Sequence, residues 1–248
     1  MATNEFNGKV ALITGAGRGV GRQVSIAFGS LGAVVAANDI NPLNLDETVD
    51  RVHQGGGMGE GFVFDIAKRM PIEGLVAQVL EHYGRIDFLV NHASVAPDAG
   101  ILDMDEWDFH RTLDVNLGGP FFTMQQVGRV MRQQEGGAMV NLVSAQQTGL
   151  YTQGHSAYDA SQAGLVGLSY AAAAELGSYH IRVNSIYLGV KITGIASSKD
   201  WDRTQFDRWL GKYPALADHP RPVQCVLFLC SEAAEGISGQ VITVESLV

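Results

Sequence analysis

The chain is poor in cysteine, in basic charge and in long apolar runs. Its 248 residues include two cysteines, Cys225 and Cys230, in one apolar stretch. They fit neither a disulfide framework nor a zinc site, and two buried free thiols are the reading. Lysine and arginine number 17 against 26 aspartates and glutamates, a formal net charge of −9, and no basic run stands out. That balance argues against nucleic acid or an anionic membrane surface as the main partner. No apolar run approaches the ~18 residues of a membrane span. The start, "MATNEFNGKV", lacks the n-region and h-region of a secretory signal. A soluble, cytoplasmic protein is expected. There is no Pro-rich or Ser-rich linker, repeat or low-complexity segment, and no His/Cys/Asp group has metal-ligand spacing. One domain over 1–248 and no metal are expected.

What is present is a chain of 46% apolar and 17% charged residues, enough for a large core. Short apolar runs at 9–15, 33–39, 61–65, 86–93, 138–144, 181–189 and 240–245 read as strands. Unbroken apolar strands suit a parallel sheet covered on both faces. Helical stretches at 19–31, 69–83, 106–134 and 156–179 separate them, the first with Val20, Val24, Ala27, Phe28 and Leu31 on one stripe. The alternation predicts an α/β fold, a doubly wound parallel sheet of about seven strands flanked by helices. Segment 190–221 breaks the rhythm, with Trp201, Phe206, Trp209 and Tyr213 among charges. It reads either as a lid on the substrate side or as a helical insertion packed on the core or on a partner subunit.

"LITGAGRGVG" sets Gly15, Gly17, Gly19 and Gly21 between the first strand and the first helix. Glycines there permit a tight turn and close approach of a pyrophosphate to the helix N-terminus. Asp39 ends the second strand, 18 residues past Gly21. A carboxylate in that place can accept from both adenosine ribose hydroxyls and would repel a 2′-phosphate, which favours NAD over NADP. Arg18, able to meet a phosphate, argues the other way.

These residues, with those that follow, make nearly the whole chain resemble the short-chain dehydrogenase/reductase family and its single Rossmann-type domain. "TGAGRGVG" (14–21) resembles the family's TGxxxGxG loop. "FDI" (64–66) resembles the segment that touches adenine, and "NHAS" (91–94) stands where the family has NNAG. "DVNLGGPF" (114–121) supplies the family's catalytic-site asparagine at Asn116, "VNLVS" (140–144) its serine at Ser144 and "YDASQ" (158–162) its tyrosine at Tyr158. The family's lysine, four residues after the tyrosine, is replaced by Gln162. The resemblance implies a catalytic set of Asn116, Ser144, Tyr158 and Gln162. It implies cofactor contacts from Gly15, Gly17, Arg18, Gly19, Val20, Gly21, Asp39, Ile40, Asp65, Ile66, Asn91, Ala93, Tyr158, Gln162, Gly189 and Thr193. Further departures are Ser94, Leu188 in place of a proline, and Ser246 and Leu247 in place of a Gly-Gly pair.

In the family a base takes the hydroxyl proton of an alcohol as hydride moves to the nicotinamide. A tyrosine of ordinary pKa near ~10 needs a neighbouring cation to serve at neutral pH. Gln162 has hydrogen-bonding reach and no charge. Losing two units of tuning costs about 3 kcal/mol, or ~100-fold in the chemical step. Lys191, His155 and His92 are the cations that could substitute. Two readings follow: an NAD(H)-dependent oxidoreductase acting on a small alcohol or ketone, or a catalytically inactive subunit that binds nucleotide or supports an active paralogue in a hetero-oligomer. A dimer or tetramer, homo- or hetero-oligomeric, is implied by the resemblance. The neighbouring departures suit natural divergence better than a single engineered change.

Overall fold

Apolar strands, glycine turns and amphipathic helices assemble here into one layered α/β unit. The structure, a computed structural model, describes residues 4–144, 153–189 and 203–244. The seven strands are β1 (Val10–Thr14), β2 (Val34–Asp39), β3 (Met58–Val63), β4 (Phe88–Asn91), β5 (Gly137–Ser144), β6 (Ile181–Leu188) and β7 (Val241–Val244). All pair in parallel, in the order β3-β2-β1-β4-β5-β6-β7. Thr14, at the end of β1, is in register with Asn38 of β2 and Asn91 of β4. The strand order reverses at β1, so a crevice opens there beyond the carboxyl ends of β1 and β4.

Eight α-helices cover the described sheet: α1 (Gly19–Ser30), α2 (Pro42–Gln54), α3 (Arg69–Tyr83), α4 (Glu106–Leu113), α5 (Gly119–Gln133), α6 (Ser156–Leu176), α7 (Arg203–Leu210) and α8 (Arg221–Cys230). Side chains alternate across the strands, which splits the core into two layers. Ala11, Ile13, Val90 and Val140 pack with Phe28 of α1 and Val226 of α8. Leu12, Leu89 and Met139 pack on the other face with Leu75 of α3 and Val127 and Met131 of α5. No helix among the described residues is long and apolar enough to cross a membrane.

Three elements depart from the pattern legible in the sequence. β3 runs 58–63 rather than 61–65. It holds Gly59 and Gly61, and a Cβ at Gly59 would meet the Val35 carbonyl carbon at 3.3 Å and the Val35 Cβ at 2.8 Å. Glycine is therefore required where hydrophobic runs gave no strand signal. The expected continuous helix 106–134 is interrupted by a π-turn at Asp114–Gly118. Pro120 has no amide with which to bond the Asn116 carbonyl, and the Gly119 amide bonds the Asp114 carbonyl instead. The described part of 190–221 packs on the core, with Phe206 and Trp209 fully buried. Trp209 Nε1 and the Tyr213 hydroxyl donate to Glu5 Oε1 at 3.1 and 2.9 Å. Those side chains therefore belong to the core wall; Lys191, Thr193 and Trp201, like Ser246 and Leu247, lie outside the described residues.

Candidate active site

The glycine loop closes the crevice from the β1 side. Gly15 has φ +66°, a left-handed conformation that favours glycine, and a Cβ there would meet the backbone of Ala93 at 2.7 Å. A Cβ on Gly17 would meet the Asp39 carboxylate at 2.7 Å. Only bare backbone fits between β1, the end of β4 and Asp39. The loop's carbonyls are tied to the protein: His92 Nδ1 donates to the Gly15 oxygen at 2.9 Å, Thr48 Oγ1 to the Ala16 oxygen at 2.9 Å, and Arg22 Nη2 to the Gly17 oxygen. Arg18 precedes α1 without a side-chain cap, and no acidic residue occupies the first turn. That helix start keeps free N–H groups and a positive dipole end, a fit for a pyrophosphate.

Asp39 lies across the loop's mouth. Its Oδ2 accepts from the Gly17 amide and its Oδ1 from the Asn41 amide, both at 2.9 Å. Ile40 beside it is exposed. Asp65 follows β3; its Oδ1 accepts from the Ala67 amide at 2.9 Å and its Oδ2 from Arg111 Nη1 at 2.8 Å. Burial alone would raise the Asp65 pKa, but Arg111 and the Ala67 amide outweigh it and hold the carboxyl below its usual range. Ile66 is buried against the backbone of Gly119.

The side chain of Asn91 turns into the core rather than the crevice. Its Nδ2 donates to Asn141 Oδ1 at 2.9 Å, and its Oδ1 accepts from Thr123 Oγ1 at 2.7 Å. Asn141 in turn donates to Ser169 Oγ at 2.8 Å, so β4, β5, α5 and α6 share one polar chain. Asn116 sits in the π-turn. Its Oδ1 accepts from the Val95 amide at 2.8 Å, and its Nδ2 reaches the Val95 oxygen at 2.9 Å and Ser161 Oγ at 3.0 Å. It clamps the segment after β4 onto α6.

Ser144 ends β5 and Tyr158 lies in the first turns of α6. Both side chains line one cavity wall, and the Ser144 hydroxyl stands close enough to the Tyr158 phenol to bear on its ionisation. Tyr158 is 6% exposed. Burial raises its pKa, the nearby Ser144 hydroxyl lowers it in part, and Asp159 adds to the rise, so the phenol is protonated at neutral pH. Gln162, one turn further along α6, is buried, and its Oε1 accepts from the Ser144 amide at 2.9 Å. A lysine has no acceptor with which to make that bond. His92 is engaged with the loop, and burial pushes its pKa down. His155, at the start of α6, is buried with no hydrogen-bond partner for Nδ1.

A cavity of about 830 Å³ joins these parts. Arg18, Val20, Ser144, Tyr158 and Gly189 line it together, with Trp107, Arg111 and Leu188. Gln162 stands behind Ser144. Sequence reasoning missed Arg22, Thr48 and Arg111, which act through folded contacts between segments far apart in the chain; a threonine or arginine inside an amphipathic helix gives no local signal of such a partner.

A sequence profile described as enoyl-(acyl carrier protein) reductase matches residues 15–246. The 3-oxoacyl-(acyl-carrier-protein) reductase of Thermotoga maritima is 35% identical over 248 residues, covering 97% of each chain. A crystal structure of NAD⁺-bound xylitol dehydrogenase is similar at 27% identity and a TM-score of 0.80, over 97% of this chain and 98% of that one. A metagenomic short-chain oxidoreductase in complex with NADP is 25% identical with a TM-score of 0.80, over 98% and 99% of the two chains.

Proposed function

The chain belongs to the short-chain dehydrogenase/reductase family, whose members are oxidoreductases using nicotinamide cofactors, and from that premise we propose that it binds NAD(H) and exchanges a hydride between a small ketone and its alcohol. The observation that carries this reading is that Ser144 and Tyr158 stand together on the wall of the cavity that Arg18 and Val20 of the glycine loop also line. Asp39 supports the choice of NAD, since its carboxylate faces the loop where a 2′-phosphate would meet like charge.

A bound reduced nicotinamide supplies the hydride; the chain's residues manage the proton. Tyr158, held as the phenol, donates its proton to the oxygen of a carbonyl as that oxygen gains charge. The Ser144 hydroxyl orients the same oxygen. Gln162 fixes the Ser144 backbone to α6 and so sets the distance between serine and tyrosine, but brings no charge to lower the tyrosine pKa. The site is therefore suited to carbonyl reduction at neutral pH and poorly suited to alcohol oxidation there. Asn116 holds the cavity wall at Val95. A groove of about 240 Å³ between α5 and α6, lined in part by Phe121, Leu168 and Ala172, supports assembly through these helices, in a family typically oligomeric.

The second reading, a non-catalytic nucleotide-binding subunit, is favoured by Gln162 in the place of the lysine. Calorimetry with NADH and NADPH, and sedimentation of the same sample, test the proposal. Micromolar NADH binding, weaker NADPH binding and a dimer or larger assembly are expected. No binding of either nucleotide would remove the reading; NADH binding without hydride transfer to any of a panel of ketones would favour the second one.

A further inference from the structure

Three consecutive peptides of the glycine loop have their carbonyls held by side chains from three different places in the fold. His92 from the end of β4 holds Gly15, Thr48 from α2 holds Ala16, and Arg22 from α1 holds Gly17. Thr48 and Arg22 are themselves joined, Arg22 Nε donating to Thr48 Oγ1 at 3.0 Å. His92 is the member that reaches the loop from across the crevice. Its ring also fills the space between two glycines: a Cβ built on Gly15 would meet Nδ1 at 3.0 Å, and one on Gly21 would meet it at 2.6 Å.

We propose that His92 is a positioning residue for nucleotide binding: by holding the Gly15 carbonyl and filling the space between Gly15 and Gly21, it keeps the glycine loop in the form that receives a pyrophosphate. This rests on the nicotinamide-nucleotide reading above. A loop already fixed in its binding form loses little freedom when an anion arrives, and a carbonyl tied back presents no negative dipole end to it. The bond requires the proton on Nδ1, and burial keeps the ring neutral with its single proton there. The role needs no charge, so any side chain placing a donor at the Nδ1 position will fill it. An asparagine amide nitrogen lies the same number of bonds from Cβ; a leucine has the same branching and no donor.

The test is calorimetry of the full chain with ADP-ribose, which carries the pyrophosphate, and with AMP, which does not. His92→Leu is expected to weaken ADP-ribose binding roughly tenfold, the effect of orphaning one partly buried acceptor, while AMP affinity changes less than about threefold. His92→Asn is expected to restore ADP-ribose binding to within about threefold of the unaltered chain. Should His92→Leu not fold, His92→Ala is read in the same way. Unchanged ADP-ribose affinity, or a loss shared equally by AMP and ADP-ribose, overturns the proposal while leaving the nucleotide reading in place. Failure of the unaltered chain to bind ADP-ribose and NADH removes both.

Discussion

Gln162 stands where the resemblance to the family places a lysine, and it has a structural task of its own. Its Oε1 accepts the Ser144 amide at 2.9 Å, and it lies one helical turn from Tyr158 on the same face of α6. Restoring the family's residue therefore has two opposed effects. Gln162→Lys brings an ammonium toward a phenol whose pKa burial has raised, which favours the phenolate. It also leaves the Ser144 amide without its acceptor, at about 1–3 kcal/mol. The expected variant is faster in alcohol oxidation at pH 7, by ~10- to 100-fold, and has a lower midpoint in urea. A turnover no better than that of the unaltered chain would tell against an oxidoreductase site. The sign for pH follows from the same group. In the unaltered chain alcohol oxidation needs the phenolate, so its rate should climb with pH toward and beyond ~10, while ketone reduction stays flat near neutrality. A pH-rate profile of oxidation that levels off below pH 8 would contradict a protonated Tyr158. The sequence disclosed the substitution but not the amide it now serves, because that amide lies on another element 18 residues away.

Among elements, the polar chain from Thr123 through Asn91 and Asn141 to Ser169 matters most. All four side chains are buried, so their polar groups depend on partners within the protein. Asn91→Ala would orphan Asn141 Oδ1 and leave the Thr123 hydroxyl only its longer bond, to the Pro120 oxygen at 3.1 Å. At about 1–3 kcal/mol for one orphaned group, a loss of roughly 2 kcal/mol is expected in urea unfolding; a change below about 1 kcal/mol would show that the chain relaxes or that water replaces the amide. Sequence patterning recovered β1, β2, β4, β5, β6 and β7 nearly as they stand, because buried parallel strands read as unbroken apolar runs. It placed β3 three residues late, because its glycines were needed for contact with β2 rather than for a turn. It ran α4 and α5 together, because the π-turn rests on a proline amide that is absent and an asparagine clamp that folding alone brings into position.

For the whole molecule, the buried thiols set an alkaline limit. Burial pushes both Cys225 and Cys230 up to about 12. In the unfolded chain a cysteine ionises near ~8.5. Below that pH both states hold the protons and stability is unaffected. Between ~8.5 and about 12 the unfolded state releases protons that the folded state keeps, so stability falls as pH rises, by up to about 1.4 kcal/mol per pH unit for each thiol. Tyr158, also raised, adds to the decline above ~10. Urea midpoints should be level from pH 6 to 8 and fall steadily from 9 to 11; a Cys225→Ala, Cys230→Ala double variant should flatten that fall. An unchanged slope in the double variant would place the alkaline sensitivity elsewhere. The two free thiols, the single domain and a parallel sheet of about seven strands were all within reach of composition and periodicity; the order of the strands was not. The crevice's wiring was not, since it joins residues from six of the strands and helices.

The bond between Gln162 and Ser144 also bears on how such a chain can change over generations. Once an acceptor occupies that place and the end of β5 leans on it, a mutation back to lysine meets a background that no longer suits it. The intermediate genotype is less stable before any further substitution can accommodate it. Were lysine the earlier residue, its loss would act as a ratchet, and a lineage past it would be steered toward chemistry that a neutral tyrosine can perform.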